Sequence, residues 1–167
     1  MTTVQRLGIV IAAVIAVLLP TSAAHASDAA YVVNPTGTVL HQTNWWYSST
    51  TVNAPTGTPA ASSIDTIYWT YSISNQANVI AQLCNPDGPG QLLCLDLPNG
   101  WATGNTTAWA GLSAQRGWLF RLAVLDPVTK ILSPYRYGGQ HQVIVNWSYT
   151  TPSPARTHSS PLRLVSR

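Results

Sequence analysis

Past its first two dozen residues the chain alternates apolar and polar side chains over short segments that Pro, Gly, Asn and Ser interrupt. Side chains two apart share one face of a strand, so this alternation predicts half-buried β-strands, and no i, i+3, i+4, i+7 stripe is present to predict a helix. The clearest case is Ile67, Trp69, Tyr71 and Ile73, with Tyr68, Thr70 and Ser72 on the opposite side. Trp118, Phe120, Leu122 and Val124 repeat the pattern, as do Val143, Val145, Trp147 and Tyr149, and all three rows are expected to face one core. Val79–Cys84 and Gln91–Leu97 flank Asn85-Pro-Asp-Gly-Pro-Gly90, a turn sequence, and read as a hairpin. With Val39–Trp46 and a short piece near Tyr31 the strands number about seven. At this length that predicts an all-β fold, an antiparallel β-sandwich, with a closed barrel as the alternative. Residues 48–63, mostly Ser, Thr, Ala, Pro and Gly, read as a long unordered surface loop.

The N-terminus changes the picture of where the domain begins. Arg6 precedes an apolar-plus-glycine run from Leu7 to Leu19, then Pro20 and Ala24-His25-Ala26, the parts of a secretory signal with cleavage expected before Ser27. Thirteen residues of helix reach roughly 20 Å against a hydrocarbon core of about 30 Å, so no membrane span is expected in the mature form. The organisation expected is a signal peptide at 1–26, a β-sandwich domain at 27–149 and a flexible, disordered tail at 150–167 that carries three Pro and three Arg without an acid. Export also fixes the redox compartment. Cys84 and Cys94 are the two cysteines, they flank the turn of the expected hairpin, and an even pair in an exported protein reads as a disulfide. Closing a loop of about eleven residues contributes roughly 2–3 kcal/mol in the chain-entropy account.

Charge narrows the chemistry. Only 8% of the 167 residues are charged, with five Asp, no Glu and one Lys. The net +3 divides into Arg6, a body at 27–149 that sums to −1, and a tail at +3, so the body has no basic face for nucleic acid. Asp87 and Asp126 fall in turn sequences and Asp28 at an expected frayed terminus, which leaves Asp65 and Asp96 without a reason to meet as an acid/base pair. No G-x-S-x-G, H-E-x-x-H or phosphate loop is present, and Tyr137-Gly138-Gly139-Gln140 lacks the Lys and the strand-to-helix context of one. His41 and His141 read as surface or half-buried side chains in or at strands, with a pH-sensing role as a minor reading. No catalytic residue, cofactor or metal is expected, and the protein does not read as an enzyme. Seven Trp are the unusual feature. Trp69, Trp118 and Trp147 follow their strands into the core. Trp45, Trp46 and Trp101 do not all fit inside, because adjacent residues of a strand point to opposite faces and Trp101 follows Pro98-Asn99-Gly100 in a loop. These three form the candidate interaction surface.

The C-terminal half resembles the flagellar periplasmic protein FlhE family. The resemblance lies in Leu83-Cys84 and Cys94-Leu95 about a turn, Leu119-Phe120-Arg121-Leu122, Leu132-Ser133-Pro134, and most specifically Gln142-Val143-Ile144-Val145-Asn146-Trp147. Ile67-Tyr68-Trp69-Thr70-Tyr71 is similar to the family's aromatic strand before the first Cys, and the likeness covers roughly residues 64–149. The cysteine loop is longer than in the family, His141 stands at a position of a smaller polar residue, and the chain continues past the usual end at Tyr149. The resemblance implies a periplasmic, noncatalytic β-sandwich, an accessory of flagellar assembly that regulates the export gate or chaperones flagellar subunits. Flagellar export or rod proteins are the partners it implies. The alternative is a secreted carbohydrate-binding sandwich that uses the exposed tryptophans on a glycan.

Overall fold

The structure, a computed structural model, describes residues 26–150. Among them run eleven strands and no helix: β1 (Ala26–Val33), β2 (Val39–Gln42), β3 (Tyr47–Ser48), β4 (Val52–Asn53), β5 (Ser63–Thr70), β6 (Val79–Pro86), β7 (Leu92–Asp96), β8 (Thr103–Thr106), β9 (Gly117–Val124), β10 (Ile131–Tyr137) and β11 (Gln142–Thr150). One sheet has the order β1-β11-β5-β8. In the other, β9 pairs with β6, which pairs with β7, while short β3 and β4 follow one another along the far edge of β9. β10 and β2 form a separate ribbon, and every pairing is antiparallel.

Register explains the core. Val143 and Val145 of β11 stand opposite Val33 and Tyr31 of β1 on one side and Trp69 and Ile67 of β5 on the other, and all six side chains are buried. In the second sheet Val79, Ala81 and Leu83 stand opposite Val124, Leu122 and Phe120, again all buried. The two rows of period-two apolar residues are thus the two inner faces of a sandwich, each fully buried large side chain contributing about 1.5–3 kcal/mol. A polar tie crosses between the sheets: the Trp118 indole N–H donates to Tyr31 Oη at 3.0 Å, and the Tyr31 hydroxyl donates to the Ala114 carbonyl at 2.8 Å. Burial pushes the Tyr31 phenol pKa up, with the Trp118 bond opposing it. The Cys84–Cys94 disulfide is formed, joining residues directly opposite across β6 and β7 on the face away from Leu83.

Several readings need correction. The strands number eleven rather than about seven, because β3, β4, β8 and β10 lack an apolar alternation: Thr103-Gly-Asn-Thr has no core residue, and Pro134 interrupts β10. Val39–Trp46 is not one strand, since β2 stops at Gln42 and the chain turns through Asn44 at φ 59°. Part of 48–63 is ordered: β4 pairs with Trp118 and Gly117, and Thr58 and Ser62 are buried. Asp28 lies within β1 opposite Ser148, not at a frayed end, and a chain beginning at Ser27 would start inside this edge strand. Thr150 still belongs to β11. The signal reading for 1–25 and the tail reading for 151–167 lie outside the described residues. His141 is neither surface nor half-buried but 1% exposed. It follows Gly138-Gly139, whose small size has a packing reason: a Cβ on Gly138 would lie 2.8 Å from the Thr38 carbonyl oxygen and one on Gly139 2.8 Å from Ser72 Oγ.

Candidate binding groove at the turn end of the sandwich

Four connections meet at one end of the domain and enclose a groove of about 740 Å³. Asn44 comes from the β2–β3 turn, Gln76 and Asn78 from the β5–β6 connection, Asn99 and Gly100 from the β7–β8 turn, and Leu125, Asp126 and Pro127 from the β9–β10 turn. Three of these sit in the left-handed region, Asn44 at φ 59°, Asn78 at 57° and Gly100 at 77°, which Asn and Gly adopt at least cost.

The wall made by Asn44 is laced rather than loose. Its main-chain N–H donates to the Val124 carbonyl at 2.8 Å, its Nδ2 donates to the Asp126 carbonyl at 2.7 Å, and its Oδ1 accepts from the Asp126 N–H at 3.0 Å. Buried Thr43 accepts the Lys130 N–H at 2.9 Å and donates to the Val128 carbonyl at 3.0 Å. Asp126 pairs with Lys130 at 2.6 Å. That hydrogen bond first, then the Val128 N–H, holds its carboxyl below the ordinary range.

The three surface tryptophans separate into two kinds. Trp45 and Trp101 are 62% and 63% exposed and directly follow the lining residues Asn44 and Gly100 in sequence, though neither lines the groove itself. Trp46 is half-buried, with its ring 5.1 Å from the Arg121 guanidinium carbon, and lines a smaller pocket with Asn44, Trp45 and Arg121. Sequence pattern does not point to Asn44, Asn78 or Arg121: single polar residues carry no period, although Asp126-Pro127 and Pro98-Asn99-Gly100 do mark two of the turns.

Other candidate chemistry is dispersed. Asp65 on β5 accepts from Ser148 Oγ at 2.9 Å and Asp96 on β7 accepts from Gln82 Nε2 at 2.8 Å, so the two belong to different sheets. Among the described residues no three His, Cys, Asp or Glu side chains gather as metal ligands. His41 packs edge-on against Tyr135, ring centroids 4.7 Å apart. His141 accepts the Ser72 N–H at Nδ1 (3.1 Å), packs on the Phe120 ring, and has no partner for Nε2 among the described residues. Burial lowers its pKa to about 4.

Residues 37–154 match the model of the family described as flagellar protein FlhE. The chain belongs to the FlhE family. A crystal structure described as that of FlhE superposes with a TM-score of 0.60 at 22% identity, covering 74% of this chain and 98% of that one. A serine protease of Aeromonas sobria is similar at TM-score 0.50 and 12% identity, over 73% of this chain and 27% of the protease. At such identities both show a shared β-fold and nothing of shared chemistry. No curated protein sequence matches this FlhE-family chain.

Proposed function

We propose that this FlhE-family protein is a periplasmic accessory of flagellar assembly that works by binding protein, either regulating the export gate or chaperoning flagellar subunits. Family membership supplies the flagellar setting. The observation that carries the binding mode is the groove at the turn end, together with exposed Trp45 and Trp101 on two of the turns that line it. Large, stiff aromatic side chains give much contact area for little ordering cost, so two of them beside a concavity of this size fit a protein-binding surface. The sequence's reading as an exported protein, the interaction surface at Trp45, Trp46 and Trp101, and export or rod proteins as partners all belong to this proposal.

A carbohydrate-binding role is the second reading. It is favoured by the three carboxamides of Gln76, Asn78 and Asn99 in the groove, since amides and flat rings together suit hydroxyl-rich ligands. The experiment is deletion of the gene, with motility assay and electron microscopy of the envelope, followed by complementation. The exported wild-type chain is expected to restore normal filaments and the Trp45→Ala, Trp101→Ala double variant is not. Normal flagella in the deletion strain would sink the flagellar role, and glycan binding lost in the same double variant would replace it.

A further inference from the structure

Arg116, Arg121, Lys130 and Arg136 are the cations of the described domain, and three of them are engaged. Arg116 approaches Asp87 at 3.6 Å and donates to Asn85 Oδ1, Lys130 pairs with Asp126, and Arg136 donates to the carbonyls of Asn75 and Ala77. Arg121 differs. It projects from the middle of β9 on the outer face, half-buried, and among the described residues meets neither a carboxylate nor a main-chain carbonyl. Its contacts are the Trp46 ring at 5.1 Å and one hydrogen bond of 3.3 Å from Nη1 to Gln82 Oε1.

That arrangement orients the guanidinium without neutralising it. Gln82 passes its own Nε2–H to Asp96 at 2.8 Å, and register sets Asp96, Gln82, Arg121 and Ser48 in one row across β7, β6, β9 and β3. Asp96 stands two strands away, roughly 10 Å between backbones, and forms no ion pair with Arg121 among the described residues. A guanidinium has five N–H donors in a planar fork matched to a carboxylate, and only one here is taken by another described side chain. Stacked on Trp46 and tethered by Gln82, this side chain has less freedom left to lose on binding than an unrestrained arginine. Arg121 lines a pocket of about 260 Å³ with Asn44, Trp45 and Trp46, and Asn44 is also part of the main groove's wall.

We propose that Arg121, Trp45 and Trp46 form a carboxylate-reading pocket that takes an Asp or Glu side chain, with an apolar neighbour, from an acidic segment of the protein partner. The inference rests on the reading that the protein works by protein contact, and it names the chemistry the partner presents. Arg121 grips the carboxylate, Trp46 holds the fork in plane, and exposed Trp45 covers the neighbouring apolar residue.

The test is an NMR titration of the ¹⁵N-labelled exported protein with the blocked peptides Ac-Leu-Asp-Leu-NH2 and Ac-Leu-Asn-Leu-NH2, reading the Arg121 Nε–H and the Trp45 and Trp46 indole N–H resonances. The Asp peptide is expected to shift all three and to bind about fivefold more tightly than the Asn peptide, the range of a half-exposed charge pair. Arg121→Gln, which keeps a donor for Gln82, is expected to erase that discrimination, and Trp45→Ala serves as the second variant if Arg121→Gln fails to fold. Equal binding of the two peptides, no shift at millimolar peptide, or discrimination surviving in Arg121→Gln would overturn the proposal. So would N-acetylmuramic acid binding more tightly than the Asp peptide, which would reassign the pocket to a glycan. The titration involves no flagellum, so its failure and a failure of the flagellar role are separate results.

Discussion

His141 makes the fold sensitive to acid, and the size of the effect can be worked from its surroundings. The side chain is 1% exposed, its Nδ1 accepts the Ser72 N–H at 3.1 Å, and among the described residues no acidic group pairs with it. Protonation would put a charge in an apolar core and turn Nδ1 from acceptor to donor against the Ser72 N–H, losing that bond. The folded state therefore holds the imidazole neutral, with a pKa of about 4 against an ordinary value of 6.5. The sign follows from linkage: the unfolded chain binds the proton first, so unfolding free energy is unaffected by this group above pH 6.5, falls as pH drops from 6.5 to 4, and levels off below. At about 1.4 kcal/mol per pH unit, the loss reaches roughly 3 kcal/mol at the acid end. Urea unfolding followed by tryptophan fluorescence from pH 4 to 7.5, with the disulfide intact, measures it. His141→Asn, whose Oδ1 can take the Ser72 N–H but cannot titrate, is expected to lose the sloping part of the profile, while His41→Asn keeps it. Parallel profiles for wild type and His141→Asn would refute the reasoning.

Three further outcomes are expected from the packing. Cys84→Ser with Cys94→Ser should lose about 2–3 kcal/mol, read as a lower urea midpoint that reductant-treated wild type reproduces; an unchanged midpoint would show that the closed loop adds nothing. Tyr31→Phe removes the acceptor of the Trp118 indole and the donor to the Ala114 carbonyl, and should cost about 1–3 kcal/mol in the same assay, whereas a neutral result would mean that both groups find new partners. Gly37→Ala sets a methyl 2.6 Å from the Gly138 backbone, where no side chain can swing away, and should lower the melting temperature by the equivalent of about 1–3 kcal/mol. Gly57→Ala, with nothing within 4 Å of its Cβ, is the control expected to change little.

How much was legible in the sequence depends on how each element is held. Ile67 to Ile73, Trp118 to Val124 and Val143 to Tyr149 announce themselves because one sheet face is dry, and all but Tyr149 in those rows are buried, with Tyr149 packed against the core. The disulfide is equally plain, since a turn sequence between two short strands puts Cys84 opposite Cys94. β3, β4 and β8 are held by register with β9 and β5 rather than by their own side chains, so their sequences carry little pattern to read. β9 misled in a different way: Leu119 and Ala123, on its second face, are buried as well, so period two gave only one of its two packed sides. The burial of His141 is not legible because the Ser72 amide and the Phe120 ring it packs against come from distant parts of the chain.

The site was legible only in its tryptophans, and the reason bears on how it works. Trp45 and Trp101 are 56 residues apart and sit on turns that line one groove, turns whose specifying residues are single, Asn44 and Gly100 in the left-handed region and Asp126 locked to Lys130. The strands that carry the family likeness thus set the platform, while residues without periodicity shape what it presents. Because Asn44 is fixed through both its main chain and its carboxamide, and Thr43 ties the same turn to Lys130, the wall shared by the groove and the Arg121 pocket is already ordered. A partner binding there would spend little of its contact energy on ordering that wall, and the exposed Trp45 side chain is left to be fixed on binding. Loosening the turn with Asn44→Ala should therefore weaken binding of the Asp peptide even though Arg121, Trp45 and Trp46 are all retained. Unchanged affinity in that variant would mean that the wall's order does not contribute.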